Sequence, residues 1–484
     1  MPMPVPSPLD EIDSFWRTSI VPALKDYIRI PNRSPAFDPD WKSHGDMDRA
    51  VCLVRDWCRA QLEDLASVEI LERPGSTPLL CIEASTDPRR GTLPSVLLYG
   101  HLDKQPEFEG WRPGLSPWTP VLENGRLYGR GGADDGYAVF SIVSALRRLN
   151  AAGTLWPPFL ALIECSEESG SPDLAAYLDH LSDRLGVPGL IVCLDAECGN
   201  YDQLWYTTSL RGNLIAELSV ETLTHGVHSG TAGGIVPSSF QVLRHLLDRV
   251  EDSRDGRIRL AAFHVTVPTN REEEVRQAAR TLNRLVWERF PFAGTTHPRS
   301  EDPEKALLEN TWAPALEVTG ADGLPPIRTG GNVLRPRTTL KLSFRLPPTL
   351  EVSQAVTSLE LAFSAPAPFH AAIQLKITSA MPGWNAPTTA PWLRKALETS
   401  SKRHFGQAAL AMGTGGSIPF MKMLAERYPE TQYFVTGVLG PESNAHGPNE
   451  FLHLATAVRL TACLADILTA YADGSRSPSE HGLP

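Results

Sequence analysis

Two hydrophobic rhythms divide the chain. Between residues 95 and 200, short unbroken apolar runs alternate with stretches where apolar side chains recur every three or four positions. SVLLYG (95–100), PFLALIEC (158–165) and GLIVCLDAE (189–197) are runs of the first kind and predict strands buried on both faces. GYAVFSIVSALRRL (136–149) sets Val139, Phe140, Val143 and Leu146 on one helical face, and SPDLAAYLDHLSDRL (171–185) also reads as a helix. Strands alternating with helices imply right-handed crossovers and a largely parallel sheet. The first ~85 residues, by the same reading, are helices with Pro-rich joints and one short strand, TPLLCIEAS.

From residue 211 the rhythm becomes strict alternation. RGNLIAELSVET puts Leu214, Ala216, Leu218 and Val220 on one face, as a half-buried strand requires. The helix SSFQVLRHLLDRVED, the alternating TTLKLSFRLPP, the helix SQAVTSLELAFSA and the strand AAIQLKITS come next. Together they predict a small open sheet with one polar face and two covering helices. The stretch from 253 to 330 is expected to add further strands and turns, without an assigned place. After Trp384 the buried style returns with the helix APWLRKALETSSKRHF, the strand TQYFVTGVLG and a last helix in FLHLATAVRLTACLADILTAYA. The tail GSRSPSEHGLP is expected to be disordered. The chain is therefore α/β, with a first domain in two pieces (1–210 and 387–484) and an α+β insertion between them (211–386).

The residues just past each buried strand are those of chemistry rather than packing. SVLLYG runs into His101 and Asp103, PFLALIEC into Glu167 and Glu168, GLIVCL into Asp195 and Glu197, and TQYFVTGVLG into a loop with His446. Carboxyl ends of strands in an open α/β sheet line the crevice where ligands bind. Asp134 and Asp135 stand just before a helix, where capping explains one aspartate more easily than two. Two imidazoles with several carboxylates suit zinc or a similar divalent ion, and five such groups allow two ions bridged by one carboxylate. A tandem Glu-Glu can give one carboxylate to a metal and the other to a water as general base. Asp103, two residues past His101, can accept that imidazole's other N–H and fix its tautomer. His228, Arg345 and the GTGGSIP stretch (413–419) also fit bland readings: a solvated loop histidine, an exposed sheet residue and a flexible connection.

Composition narrows the classes. The 484 residues carry a formal charge of −11, which argues against nucleic acid as a partner. No window shows the ~20 continuous apolar residues of a membrane span, and MPMPVPSPLDEIDSFW does not read as a secretory signal. Seven scattered cysteines without a CxxC pair indicate reduced core thiols and a cytoplasmic location. Cys165, beside acidic residues, is the thiol with the best claim to chemistry, but no histidine lies near it in sequence.

As a set, YGHLDKQP, GRLYGRGGADDG, ECSEESGS, CLDAE, SLRG, HSGTAGG, GGSIP and AHGPNE resemble the co-catalytic metallopeptidase family of carnosine dipeptidases, aminoacylases, acetylornithine deacetylase and succinyl-diaminopimelate desuccinylase. The long tryptophan-bearing loop HLDKQPEFEGWRPGLSPWTP and the EESGS wording are closest to the dipeptidase branch. The resemblance implies a zinc-peptidase-like catalytic domain with a ferredoxin-like lid and dimerisation domain inserted in it. It also implies two divalent ions per subunit, zinc or alternatively manganese or cobalt. His101 and Asp195 would hold one ion, Glu168 and His446 the other, and Asp134 would bridge them. Glu167 would be the general base, with Asp103 orienting His101. His228 would reach the site of a partner subunit in a homodimer formed through the lid, and Asn332 resembles a lid residue of the same kind. Arg345, Gly416 and Ser417 would grip the substrate's carboxylate. The expected activity is hydrolysis of peptide bonds in dipeptides or similar small substrates. The rival is an N-acyl amino acid amidohydrolase of the same mechanism. Two departures touch substrate recognition: Thr414 stands before GGSIP where such dipeptidases usually carry a charged residue, and HGVHSG lacks the usual Leu before HSG. A binding protein that kept the fold but lost catalysis would need a missing ligand or base, and every expected position is filled.

Overall fold

The computed structural model describes residues 7–84, 93–154, 156–418 and 420–474; the expected disordered tail past Gly474 lies outside them. Its central sheet runs in the order Ser67–Leu71, Leu79–Ala84, Phe159–Glu164, Val96–His101, Leu190–Cys193, Gln432–Val435. The last four strands are mutually parallel, and the first two join antiparallel at the other edge. All six residues of Val96–His101 and of Phe159–Glu164 are buried, as the unbroken apolar runs require. Alternate side chains enter opposite cores: Val96, Leu98, Ala161, Ile163 and Val192 face one, and Leu97, Tyr99, Leu160, Leu162 and Ile191 the other. Each such Leu or Ile contributes about 1.5–3 kcal/mol relative to exposure.

Tyr137–Ala151 lies directly on this sheet, so close that a Cβ on Gly100 would sit 2.8 Å from the Ala138 Cβ. That glycine lets the helix start, and the aspartates before it, approach the end of the His101 strand. Leu454–Ala472 is long and apolar enough to cross a membrane by composition alone. Here it packs in the core with Tyr137–Ala151 and Pro391–His404, with Leu460, Cys463, Leu464 and Ile467 fully buried.

The second sheet is wholly antiparallel, in the order Ala315–Asp322, Arg337–Leu346, Gly212–Glu221, Ala372–Met381. Counted along the chain this is 2-3-1-4 in a βαββαβ unit, the ferredoxin-like arrangement. Ser239–Leu247 and Val352–Ser364 cover one face, meeting Leu214, Ala216, Leu218, Val220, Leu342 and Phe344.

Several elements differ from the sequence reading, beginning with Ser67–Leu71, a second strand within the first 85 residues. The stretch expected to add strands and turns also holds the helices Thr269–Leu282 and Pro303–Thr311. Val275, Ala278, Ala279 and Leu282 of the first pack with Leu307 against Cys198, Trp205 and Met412, beside the strands Trp205–Leu210 and Leu410–Thr414. Their i, i+3, i+4, i+7 spacing was legible, but it was diluted by the charged residues between them. The helix expected over 171–185 is two short ones, Leu174–His180 and Ser182–Leu185, parted at Leu181.

Candidate metal centre

The four parallel strands end on one edge, and that edge gathers the predicted chemistry. His101 closes its own strand; Glu167 and Glu168 form a single turn, Glu167–Ser169, just past Phe159–Glu164. Asp195 lies two residues past Leu190–Cys193, and His446 sits in the loop after Gln432–Val435. Neither Asp134 nor Asp135 caps the next helix, whose start has no side-chain cap. Asp135 instead accepts the His101 backbone N–H at 3.3 Å.

His101, Asp134 and Asp195 form one group of ligand-type atoms, and Asp134, Glu168 and His446 a second, with the atoms of each group within 4.8 Å of one another. Asp134 belongs to both. Its Oδ1 lies 3.3 Å from His101 Nε2, and its Oδ2 lies 3.1 Å from His446 Nε2. Asp195 Oδ2 is 3.7 Å from His101 Nε2, and Glu168 Oε2 is 3.5 Å from His446 Nε2. Among the described residues, two buried atoms of these ligand-type side chains, His101 Nε2 and Glu168 Oε1, have no hydrogen-bond partner. Buried polar atoms are rarely left so, and imidazole nitrogens with carboxylate oxygens are the donor set of a divalent ion. The residues present fit a pair of such ions.

The electrostatics agree. Burial, then the charge of Asp195, pushes Glu167 well above the usual carboxylate range. Burial and Asp134 bring Glu168 to about 8, and burial, outweighing the opposite pull of His101, brings Asp195 to about 6. Burial would lower His446, but Asp134 and Glu168 outweigh it and bring the imidazole to about 9. Asp134 resists the upward push of burial because both imidazoles hold it ionised and well below its ordinary value. Acidic groups that cannot all ionise together in a buried cleft call for cations.

Asp103 does more than its spacing indicates. His101 Nδ1 lies 3.1 Å from the Asp103 carbonyl oxygen and 3.4 Å from its Oδ1. Meanwhile the Asp103 carboxylate accepts the backbone N–H groups of Glu167, at 3.0 Å, and Glu168, at 2.9 Å. One buried aspartate thus ties the tandem glutamates to the His101 strand. Sequence reasoning also passed over Gln105, whose Nε2 donates to Glu168 Oε2 at 2.5 Å. It missed Glu164 too, which takes Tyr99 Oη at 2.5 Å and Ser171 Oγ at 2.8 Å beneath the same turn. A carboxylate as the last residue of a buried strand was the available signal for Glu164.

The other predicted residues fall in two places. Arg345 Nη1 lies 3.4 Å from Ser417 Oγ, beside Gly416, and Ser417 Oγ donates to the Arg211 carbonyl at 2.5 Å. Arg211, which sequence reasoning did not single out, donates from Nε to Gly415 O at 3.1 Å and from Nη1 to Ala313 O at 3.2 Å. Neither arginine has a carboxylate partner among the described residues. Burial and Arg345 lower Arg211 to about 10. His228 and Asn332 lie together elsewhere: Val227–His228 pairs with Val333–Leu334, and Ser229 N donates to Asn332 O at 2.9 Å. Both are exposed, and neither belongs to the two ligand groups. Cys165 is fully buried and its thiol is pushed up by burial, the state of an inert core residue.

Residues 97–470 match the sequence profile of peptidase family M20/M25/M40. The chain is 27% identical over 413 residues to the cysteinylglycine-S-conjugate dipeptidase of Corynebacterium striatum, covering 83% of this chain and 87% of that protein. It is 26% identical over 455 residues to the Beta-Ala-His dipeptidase of Homo sapiens, covering 88% and 85%. The fold is similar to that of human carnosine dipeptidase 1, with a TM-score of 0.76, 23% identity and coverage of 97% of this chain and 100% of that one. The di-peptidase Dug1p from Saccharomyces cerevisiae superposes with a TM-score of 0.74 at 20% identity, covering 97% and 98%.

Proposed function

The chain belongs to peptidase family M20/M25/M40 as a metallopeptidase of the dipeptidase type, and from that premise we propose that it cleaves the peptide bond of dipeptides bearing a free carboxylate. The observation that carries this reading is the pair of ligand groups sharing Asp134. His101 and Asp195 would hold one divalent ion, Glu168 and His446 the other, and Asp134 would serve both; zinc suits the donor set, with manganese and cobalt as alternatives. Two such ions supply water activation and polarisation of the scissile carbonyl. Glu167, whose carboxylate takes no hydrogen bond among the described residues and whose affinity for a proton is raised, accepts the proton from water and returns it to the leaving amine. Asp103 holds the turn that aims Glu167. Arg345, with Ser417 and the Gly416 backbone, takes the substrate carboxylate. His228 and Asn332, exposed on the lid, reach the active site of a second copy in a homodimer formed through the lid sheet. The enzyme works in the cytoplasm.

One observation favours a second reading. Arg211 and Arg345, both near Ser417, have no carboxylate partner among the described residues, and Thr414 rather than an acid precedes Gly415, so among those residues no acid beside them stands ready for a free amine. That suits an N-acyl amino acid amidohydrolase.

Metal-reconstituted protein offered a mixed panel of dipeptides and N-acyl amino acids, with products read by mass spectrometry, tests both. Cleavage confined to dipeptides is the expected result. Cleavage of N-acyl substrates alone moves the enzyme to the amidohydrolase reading, and cleavage of neither overturns both.

A further inference from the structure

Arg130 and Glu450 form an ion pair whose side chains are 1% and 0% exposed, deep beneath the metal centre. Burying two charges is costly unless every remaining polar atom is used, and here they are used on the loops that carry ligands. Arg130 Nη2 donates to the carbonyls of His446 at 3.1 Å and Gly447 at 2.7 Å, and its Nε donates to Pro106 O at 3.2 Å. Glu450 Oε1 accepts the Gly131 N–H at 2.9 Å, and its carbonyl accepts the Gly129 N–H at 3.0 Å. The pair therefore joins three loops: the one after the His101 strand, the one leading to Asp134, and the one holding His446.

The His446 loop needs such a tie. Its histidine has φ +64°, and Glu442, Asn444 and Asn449 are also left-handed, a region that few non-glycine residues occupy and that Asn, Asp and His enter more readily than the rest. The His446 side chain is 56% exposed and is held by Asp134 Oδ2 at 3.1 Å and Glu168 Oε2 at 3.5 Å rather than by apolar packing. By contrast, His101 is buried at the end of a central strand.

We propose that the Arg130–Glu450 pair is a positioning device for His446, setting the affinity of the Asp134–Glu168–His446 site more strongly than that of the Asp134–Asp195–His101 site. The inference rests on the two-ion reading above. A fork that serves a carboxylate and three carbonyls at once is specific to guanidinium; the single ammonium of lysine cannot reproduce it.

The test strips the full-length protein with a chelator and titrates it with zinc ion against a chromophoric competitor. Wild type takes up two ions; uptake of fewer overturns the two-ion reading itself, separately from this inference. His446→Ala marks which binding event belongs to the second site. Arg130→Lys keeps the charge but loses the fork, and it weakens that event by about 10- to 100-fold, the usual effect of losing a group that orients a ligand. The other event, which shares Asp134, weakens less. Equal weakening of both events, or no change in either, overturns the proposal. Should Arg130→Lys fail to fold, Glu450→Gln keeps an acceptor for Gly131 N–H and carries the test with the same two outcomes.

Discussion

The two halves of the candidate metal centre are built in opposite ways. His101 stands on a central strand, its ring buried and its backbone held by sheet pairing and by Asp135. His446 stands on a left-handed loop with its ring open to solvent, and its backbone is held by Arg130 from below. One half inherits its geometry from the core of the fold; the other depends on a few polar contacts between loops. Asp134 belongs to both, so it couples a rigid half to an adjustable one.

The largest effect is expected where the halves meet. Asp134→Ala removes a ligand from both groups, so metal content measured after dialysis falls toward zero and turnover falls to background. Glu167→Gln comes next: catalysis drops by about 10²- to 10⁴-fold, the usual contribution of a general base, while two ions remain bound. Loss of metal in that variant would make Glu167 a ligand and add a third carboxylate to one of the halves. Replacing each histidine then separates the halves directly. His101→Ala is expected to destabilise the fold by about 2 kcal/mol in denaturant unfolding, as a buried polar contact group, and His446→Ala by less than about 0.5 kcal/mol, as a surface side chain. Equal costs would erase the distinction.

A smaller, graded effect comes from pH. In the metal-free protein Glu168 lies at about 8 and His446 at about 9, whereas Asp195 lies at about 6. A ligand must shed its proton to bind, so metal affinity rises with pH as these groups deprotonate. Burial would lower His101, but the neighbouring carboxylates outweigh it and raise that group as well, so both sites are expected to bind more tightly as pH rises through this range, with protons released on binding. Calorimetry in buffers of different ionisation enthalpy measures that release, and pH-independent binding would contradict the assignment.

The two halves also differed in how far the sequence revealed them. Apolar runs ending in His101, Glu167–Glu168 and Asp195 announced the buried strands and placed candidate ligands at their ends, because a fully buried strand gives a polar residue little other use. What stabilises His446 was silent. Arg130 and Glu450 are 320 residues apart, and each taken singly is an ordinary charged residue in a loop. The Asp103 bonds to the tandem glutamate amides were hidden for a related reason: spacing shows which histidine an aspartate can reach, not which distant backbone it will meet. The helix Thr269–Leu282 was missed because its buried stripe is narrow and its other faces are densely charged.

The order in which the candidate ligands occur along the chain has a consequence for synthesis. His101, Asp134 and Asp195 have all left the ribosome before the first strand of the antiparallel sheet, whereas His446 and Glu450 emerge only after its last strand. Premature termination within that sheet would therefore release a fragment with one full candidate trio and a Glu168 without His446 beside it. On the two-ion proposal, such a fragment would have the residues for one ion and lack the imidazole for the other.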